Sequence, residues 1–415
     1  MNRLSTIIFS IICLLLTGKL AGQDGGRYLQ PTFDEVIVTS GIQYSSGIRE
    51  GQNAPTSLYF DFYEPVGDTL TARPLVITVF GGAFVAGSRD FVDMAEYGNR
   101  LAKHGYAVAS IDYRLLQLSS LSAEGFVRTA YMAAQDVSSA IRFFKHHNTE
   151  YRIDTNNIFL LGNSAGSIAI LHQVFLSEDE RPSETFNEPD LGPINSAGFE
   201  EYAGHSSKVA GIIPHWGGVT NTNIIQADEY VPVCMIHGTN DKVVPYDSGY
   251  CYSSTAAFIM PYMYGSHSIA EHLSSLGIND YEFHPFENEG HCFYIWGWNV
   301  LLEDKFDSCF NITRDFLYEH LNLQTPSAIT NVSIDSYHIY PNPADDVVSI
   351  NNLNKENTTK IELFDLNGQL RKQIVCSSDS SKTTTLSVRD LPAGVYLLHL
   401  TYGNNRKFVR KITVL

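Results

Sequence analysis

Basic residues are scarce in this chain. Its 415 residues hold 28 Lys and Arg against 45 Asp and Glu, a formal net charge of −17 at pH 7. Such a surface repels nucleic acid and anionic polymers, so neither is an expected partner. Long apolar runs are scarce too. Residues 4–16 are almost continuously apolar, but that stretch is too short to serve as a membrane span. No other segment is long and apolar enough, so no transmembrane segment is expected. No Cys/His cluster has metal-ligand spacing along the chain, and a Gly-rich phosphate loop is missing. Neither a metal nor another cofactor is therefore expected. None of the three tryptophans lies beyond Trp298, which argues against a carbohydrate-binding module in the C-terminal part.

The N-terminus does carry a message. A positively charged Met1-Asn2-Arg3, the apolar stretch and the small residues Gly18, Ala21 and Gly22 read as a signal peptide over residues 1–22. Of the six cysteines, Cys13 falls inside it; Cys234, Cys251, Cys292, Cys309 and Cys376 remain. Export passes an oxidising compartment. One disulfide among Cys251, Cys292 and Cys309 is expected, with the pairing left open by the sequence.

The most informative segment is Gly162-Asn163-Ser164-Ala165-Gly166, directly after the apolar run Ile158-Phe159-Leu160-Leu161. A serine on a sharp strand-to-helix turn is exposed to a base, and glycine on either side lets the backbone close up. Upstream, a second apolar strand ends in Gly81-Gly82-Ala83-Phe84. The amides of Gly82, Ala83 and Ala165 are the expected oxyanion donors. Downstream, Val233-Cys234-Met235-Ile236-His237 opens into Gly238-Thr239-Asn240-Asp241. An acid at that strand end shares a sheet edge with the serine. Tyr281-Glu282-Phe283-His284-Pro285-Phe286 alternates like a strand and leads to Gly290-His291, while His284 reads as a packing residue. The order Ser164, Asp241, His291 is that of a nucleophile, an orienting acid and a base on one parallel sheet. Phe84, Trp216 and Tyr262 or Tyr264 are the expected aromatic borders of the substrate pocket.

Strand and helix patterns alternate from residue 74 to 323, with helices over 91–104, 127–147, 254–276 and 300–323. Two early strands, 35–44 and 57–63, make an antiparallel edge. The long stretches 176–205 and 247–265 have the character of lids or pocket walls. The expected class is α/β, a doubly wound, mostly parallel sheet. After a polar linker at 323–335, the chain turns to short strands with turn signals, a small all-β sandwich over 336–415. That tail is also less acidic: from Ala328 on it has 10 basic and 8 acidic residues.

Phe80-Gly81-Gly82-Ala83-Phe84, Asp112-Tyr113-Arg114-Leu115, Gly162-Asn163-Ser164-Ala165-Gly166, His237-Gly238-Thr239-Asn240-Asp241 and Gly290-His291 together resemble the α/β-hydrolase carboxylesterase and lipase family. The likeness, to bacterial hormone-sensitive-lipase and feruloyl-esterase-like members, covers residues 30–322. It implies a secreted serine carboxylesterase working through an acyl-enzyme. Its substrates would be acetyl or feruloyl esters of plant polysaccharide, short-chain lipids or polyesters. A serine peptidase on the same fold and a non-enzymatic surface binding protein are the alternatives. The family usually has histidine where this chain has Phe80, which bears on how the oxyanion loop is braced. Tyr340-Pro341-Asn342-Pro343, Asp365-Leu366-Asn367-Gly368 and Leu391-Pro392-Ala393-Gly394-Val395-Tyr396 resemble the C-terminal sorting domain of type IX secretion substrates of Bacteroidetes. That resemblance implies the secretion machinery as partner, and a location at the cell surface or outside the cell.

Overall fold

The computed structural model describes residues 26–228, 230–252, 260–297, 299–322, 338–351, 358–365, 369–375, 383–402 and 407–415. The signal-peptide and linker segments expected from the sequence lie outside these residues, as do Cys376 and the tip of the Asp365–Gly368 hairpin. The chain divides into two compact units, Met1–Asn322 and Leu323–Leu415.

The first unit is built on eight strands: β1 (Val36–Ile48), β2 (Pro55–Pro65), β3 (Arg73–Val79), β4 (Ala107–Ile111), β5 (Ile153–Asn163), β6 (Gly211–His215), β7 (Val233–Gly238) and β8 (Tyr281–Phe286). Their order across the sheet is β1-β2-β4-β3-β5-β6-β7-β8. From β4 to β8 every pairing is parallel; β1 and β2 form the antiparallel edge. In β3, β4, β6 and β7 every residue is buried. That is why these strands read as continuous apolar runs: both faces are covered. Helices α1 (Val92–Lys103) and α5 (Glu303–Glu319) pack together through Tyr97 and Phe306 and through Arg100, whose NH2 group meets Glu303 at 2.9 Å. Helix α2 (Ala123–His146) packs on α3 (Ala165–Phe175), and α3 packs on β5 and β6. Helix α4 (Ser266–Ser275) lies between β7 and β8 in sequence and packs on both.

Several boundaries differ from expectation for identifiable reasons. Helix α2 starts four residues early because Ser122 caps it, its Oγ accepting from Gly125 N at 3.0 Å. The helix expected over 254–276 is Ser266–Ser275; residues 253–259 are not described, and Tyr262–Gly265 is a strand. Tertiary pairing overrides helical pattern there, since Tyr262–Gly265 bonds antiparallel to Ser248–Tyr250 and to Gly218–Val219. Residues 176–205 hold three short 3₁₀ turns and are strapped down by α2. The Arg128 guanidinium donates to Glu184 O (2.7 Å), Asn187 O (3.1 Å) and Pro189 O (2.8 Å). Gln135 Nε2 donates to Leu191 O at 2.8 Å and Pro193 O at 2.9 Å. These buried donors satisfy carbonyls of an irregular segment that would otherwise be orphaned.

The second unit has two antiparallel sheets. One orders His338–Tyr340, Val347–Asn351 and Thr383–Ser387; the other orders Leu370–Val375, Thr358–Asp365, Gly394–Tyr402 and Lys407–Val414. Val348, Ile350, Ile361, Leu363, Leu398, Leu400 and Ile412 form a core of its own. Tyr396 OH donates to Pro392 O at 2.7 Å, closing the Leu391–Tyr396 turn.

Candidate active site

Three loops leave the carboxyl ends of β5, β7 and β8 and meet. Ser164 follows β5 with φ 51° and ψ −117°, a backbone conformation that L residues seldom adopt. The flanking glycines make this turn possible. A Cβ on Gly166 would lie 2.0 Å from Val79 O, and one on Gly162 would lie 2.6 Å from Gly166 C. Ser164 Oγ is 2.8 Å from His291 Nε2, and His291 Nδ1 is 2.7 Å from Asp241 Oδ2.

Asp241 is well supplied with donors. Its Oδ1 accepts from Val243 N at 2.7 Å and Val244 N at 3.1 Å. Its Oδ2 lies 2.7 Å from His291 and 3.2 Å from His237 Nε2. Burial alone raises the carboxyl pKa, but hydrogen bonds from His237 and His291 outweigh it and hold Asp241 well below the usual carboxylate range. An ionised Asp241 accepts the Nδ1–H of His291. That tautomer leaves Nε2 free to accept from Ser164 Oγ–H. Burial lowers the His291 pKa, while the Cys292 sulfur and the Asp241 carboxylate raise it, with a net upward shift.

His237 was read only as the end of a strand. It is fully buried, with Nδ1 2.9 Å from Ser266 Oγ and Nε2 3.2 Å from Val244 O. Two acceptors face Nε2, so it carries the proton and Nδ1 accepts from Ser266. Asp93, fully buried at the start of α1, was also missed. It accepts from Asn163 Nδ2, the side chain next to the serine. Burial pushes its carboxyl up to about 6. Neither residue has a local sequence signal; each is brought to the site by tertiary packing.

The loop after β3 is strained. Gly82, Ala83 and Phe84 have φ of 122°, 53° and 60°. Phe80 stacks on Tyr113 with ring centroids 4.4 Å apart, and Tyr113 OH donates to Phe80 O at 3.1 Å. Leu116 N also donates to Phe84 O at 2.7 Å. Aromatic stacking therefore braces the turn at the position of the family's usual histidine.

A pocket opens beside Ser164. Ala83, Ser164 and Ala165 line it, and Gly82 is not among its lining residues. Phe84, Phe126, Tyr131, Ile168, Val244 and Met263 form much of the rest, and among the described residues no Asp, Glu, Lys or Arg lines it. Three expected borders need correction. Trp216 turns inward at φ 40°, is fully buried, and packs on Phe293, Tyr294 and the His291 ring instead. Tyr262 and Tyr264 stand on the other face of their strand, where their rings meet at 5.6 Å, and Met263 between them reaches the pocket. Strand alternation decides this, one residue out of phase with the aromatic pattern. The expected disulfide is also absent: Cys234, Cys251, Cys292 and Cys309 are free thiols. Cys309 is buried in α5, Cys251 lines the pocket, and Cys292 follows the histidine in the β8 loop.

The sheet order and the glycine-flanked serine now have their counterpart among known proteins. Residues 60–227 match the BD-FAE family model, and residues 338–415 match the secretion system C-terminal sorting domain. The first unit thus carries a BD-FAE-like stretch on its parallel sheet, and the second matches a C-terminal sorting domain. It is 30% identical over 135 residues to a probable isoprenylcysteine alpha-carbonyl methylesterase of Arabidopsis thaliana, covering 32% of this chain and 26% of that protein. It is 31% identical over 120 residues to the bile salt-activated lipase of Homo sapiens, covering 27% and 16%. The chain thus spans about a quarter or less of the length of these two relatives. A solved esterase 2 of Thermogutta terrifontis with butyrate bound is similar at 20% identity and TM-score 0.45, over 69% of this chain and 97% of that one. A likeness that loose carries no functional weight. The sorting domain marks the chain for type IX export, to the cell surface or the medium. Among the described residues no helix is long and apolar enough to cross a membrane.

Proposed function

We propose that the chain is an exported serine carboxylesterase acting on neutral esters with an apolar acyl or alcohol group. The observation that carries this reading is the hydrogen-bonded line Ser164–His291–Asp241, at 2.8 and 2.7 Å, opening on an apolar pocket. Two relatives that the chain resembles in part are named as a methylesterase and a lipase, which supports ester hydrolysis.

In this reading His291 Nε2 takes the proton of Ser164 Oγ as the oxygen attacks the ester carbonyl. Asp241 holds the imidazole in the needed tautomer and stabilises the imidazolium that forms. The amides of Gly82, Ala83 and Ala165 stabilise the tetrahedral oxyanion, with Ala165 at the positive end of α3. The imidazolium then protonates the leaving alkoxide, and water repeats the cycle on the acyl-enzyme. Among the described residues the pocket lining is largely apolar, which supports an ester with an apolar acyl or alcohol group. The sorting domain of the tail supports recognition by the secretion machinery. Hydrolysis of p-nitrophenyl butyrate tests the proposal. Turnover is expected in the wild type and not in Ser164→Ala. Equal turnover in both, with unchanged circular dichroism, would remove the serine from the mechanism.

A further inference from the structure

Outside the triad, three donor side chains meet at the edge of the catalytic sheet. The parallel register of β7 and β8 sets Glu282 beside Cys234, and His284 follows two residues along β8. Alternation puts Glu282 and His284 on one face. His284 Nε2 lies 2.7 Å from Glu282 Oε2, and Cys234 Sγ lies 3.9 Å from the same oxygen. One donor atom of each residue falls within 4.8 Å of the other two. Cys234 is fully buried and is not in a disulfide, while Glu282 and His284 are partly exposed. The cluster is closed beneath and open at its rim.

We propose that Cys234 Sγ, Glu282 Oε2 and His284 Nε2 form a zinc site that ties β8 to β7. Sulfur, nitrogen and oxygen donors in a set of three suit zinc, with water in the fourth place. Magnesium and calcium take oxygen donors and would leave the sulfur unused. Zinc bonds of about 2.0–2.3 Å set donor–donor separations of roughly 3.3–3.7 Å in a tetrahedron. The present spacing therefore needs only side-chain rotation. On binding, the His284–Glu282 hydrogen bond is exchanged for two metal bonds, and the imidazole proton moves from Nε2 to Nδ1. The Cys234 thiol releases its proton to solvent, and thiolate and carboxylate together neutralise the ion.

The position of the site gives it a consequence. β8 is an edge strand with β7 as its neighbour in the sheet. β7 ends at Gly238, just before Asp241, and β8 ends at Phe286, just before His291. A metal tie between the strands sets how the acid loop stands to the base loop without touching the reacting atoms. Linear spacing hides the site, because Cys234 and Glu282 are 48 residues apart.

The test uses the full chain, stripped with a chelator and titrated with Zn2+ or Co2+. The Co2+ form is expected to show thiolate-to-metal charge-transfer absorption, and Zn2+ to raise the unfolding midpoint. His284→Gln and Glu282→Gln, both at partly exposed positions, should abolish that absorption and weaken zinc binding at least about tenfold. His291→Gln should keep both, which separates this site from a thiol site at His291 and Cys292. No thiolate band, or zinc affinity unchanged in His284→Gln and Glu282→Gln, would overturn the proposal. Cys234→Ser is the third variant; should it fail to fold, the two β8 variants still decide. The readout does not depend on ester hydrolysis.

Discussion

Replacing His237 by leucine removes one donor from the buried Asp241 carboxylate while leaving Ser164, His291 and Asp241 in place. His237 Nε2 is 3.2 Å from Asp241 Oδ2, against 2.7 Å for His291 Nδ1. A hydrogen bond to a charged group contributes about 1.5–3 kcal/mol. Its loss raises the Asp241 pKa by roughly 1–2 units at about 1.36 kcal/mol per unit. Val243 N, Val244 N and His291 remain as donors, so Asp241 stays ionised at neutral pH. If half of the lost energy is felt in the transition state, kcat/KM falls roughly four- to thirteenfold. Removing the carboxylate function altogether should cost on the order of ten-thousandfold. His237→Gln can donate to Asp241 and accept from Ser266, so it should recover part of the loss. Stability follows with a definite sign. The folded Asp241 pKa lies below the unfolded value of 3.8, so its contribution is present above that value and lost as pH falls through the folded pKa. The Asp241 part of the stability gap between wild type and His237→Leu should therefore be present above about pH 4 and be lost below it. The assay is p-nitrophenyl butyrate hydrolysis from pH 5 to 10, alongside urea unfolding at each pH. A His237→Leu enzyme with unchanged kcat/KM, or one as inactive as Asp241→Asn while still folded, would refute the positioning role.

The upward shift of His291 predicts that kcat/KM rises with pH along an acid limb centred above 6.5, and a flat profile from pH 5 to 9 would contradict a histidine base. Asp93 is buried with its pKa raised from 3.8 to about 6, so the folded state holds an extra proton between those values and loses stability as pH rises through them. Urea titration should show that slope in the wild type, worth about 3 kcal/mol at 1.36 kcal/mol per unit, and its loss in Asp93→Asn. A chain ending at Gln324 should keep full esterase activity, because the tail has its own core and none of the described pocket or triad residues belongs to it. In the native host the same truncation should hold the enzyme in the periplasm; undiminished export of the truncated chain would refute the sorting role.

Much of the first unit and of the candidate site is legible in the sequence because a buried parallel strand ends abruptly. Ser164, Asp241 and His291 each follow an apolar run that stops at a glycine-containing loop, and the sheet brings those ends together. The pocket wall was read less well, because it depends on phase and not on composition. A one-residue difference in strand alternation exchanges Tyr262 and Tyr264 for Met263, and a left-handed backbone at Trp216 turns its ring into the core. Residues that act across the sheet left no local trace. His237 looks like any strand end, and Asp93 like any acid in a helix's first turn, until packing sets them against Asp241 and Asn163. The cysteines show the converse error. Compartment chemistry suggested a disulfide, whereas the fold distributes Cys251, Cys292 and Cys309 over a pocket wall, a loop and a helix core.

The central claim is that Ser164 is the nucleophile, raised by His291. Its most direct test is labelling of the folded chain with a fluorophosphonate, followed by mass spectrometry of the intact protein and of its peptides. One adduct per chain is predicted, on Ser164, with labelling abolished in Ser164→Ala and slowed by orders of magnitude in His291→Ala. No adduct on the folded wild type, or an adduct on another residue that persists in Ser164→Ala, would contradict the account.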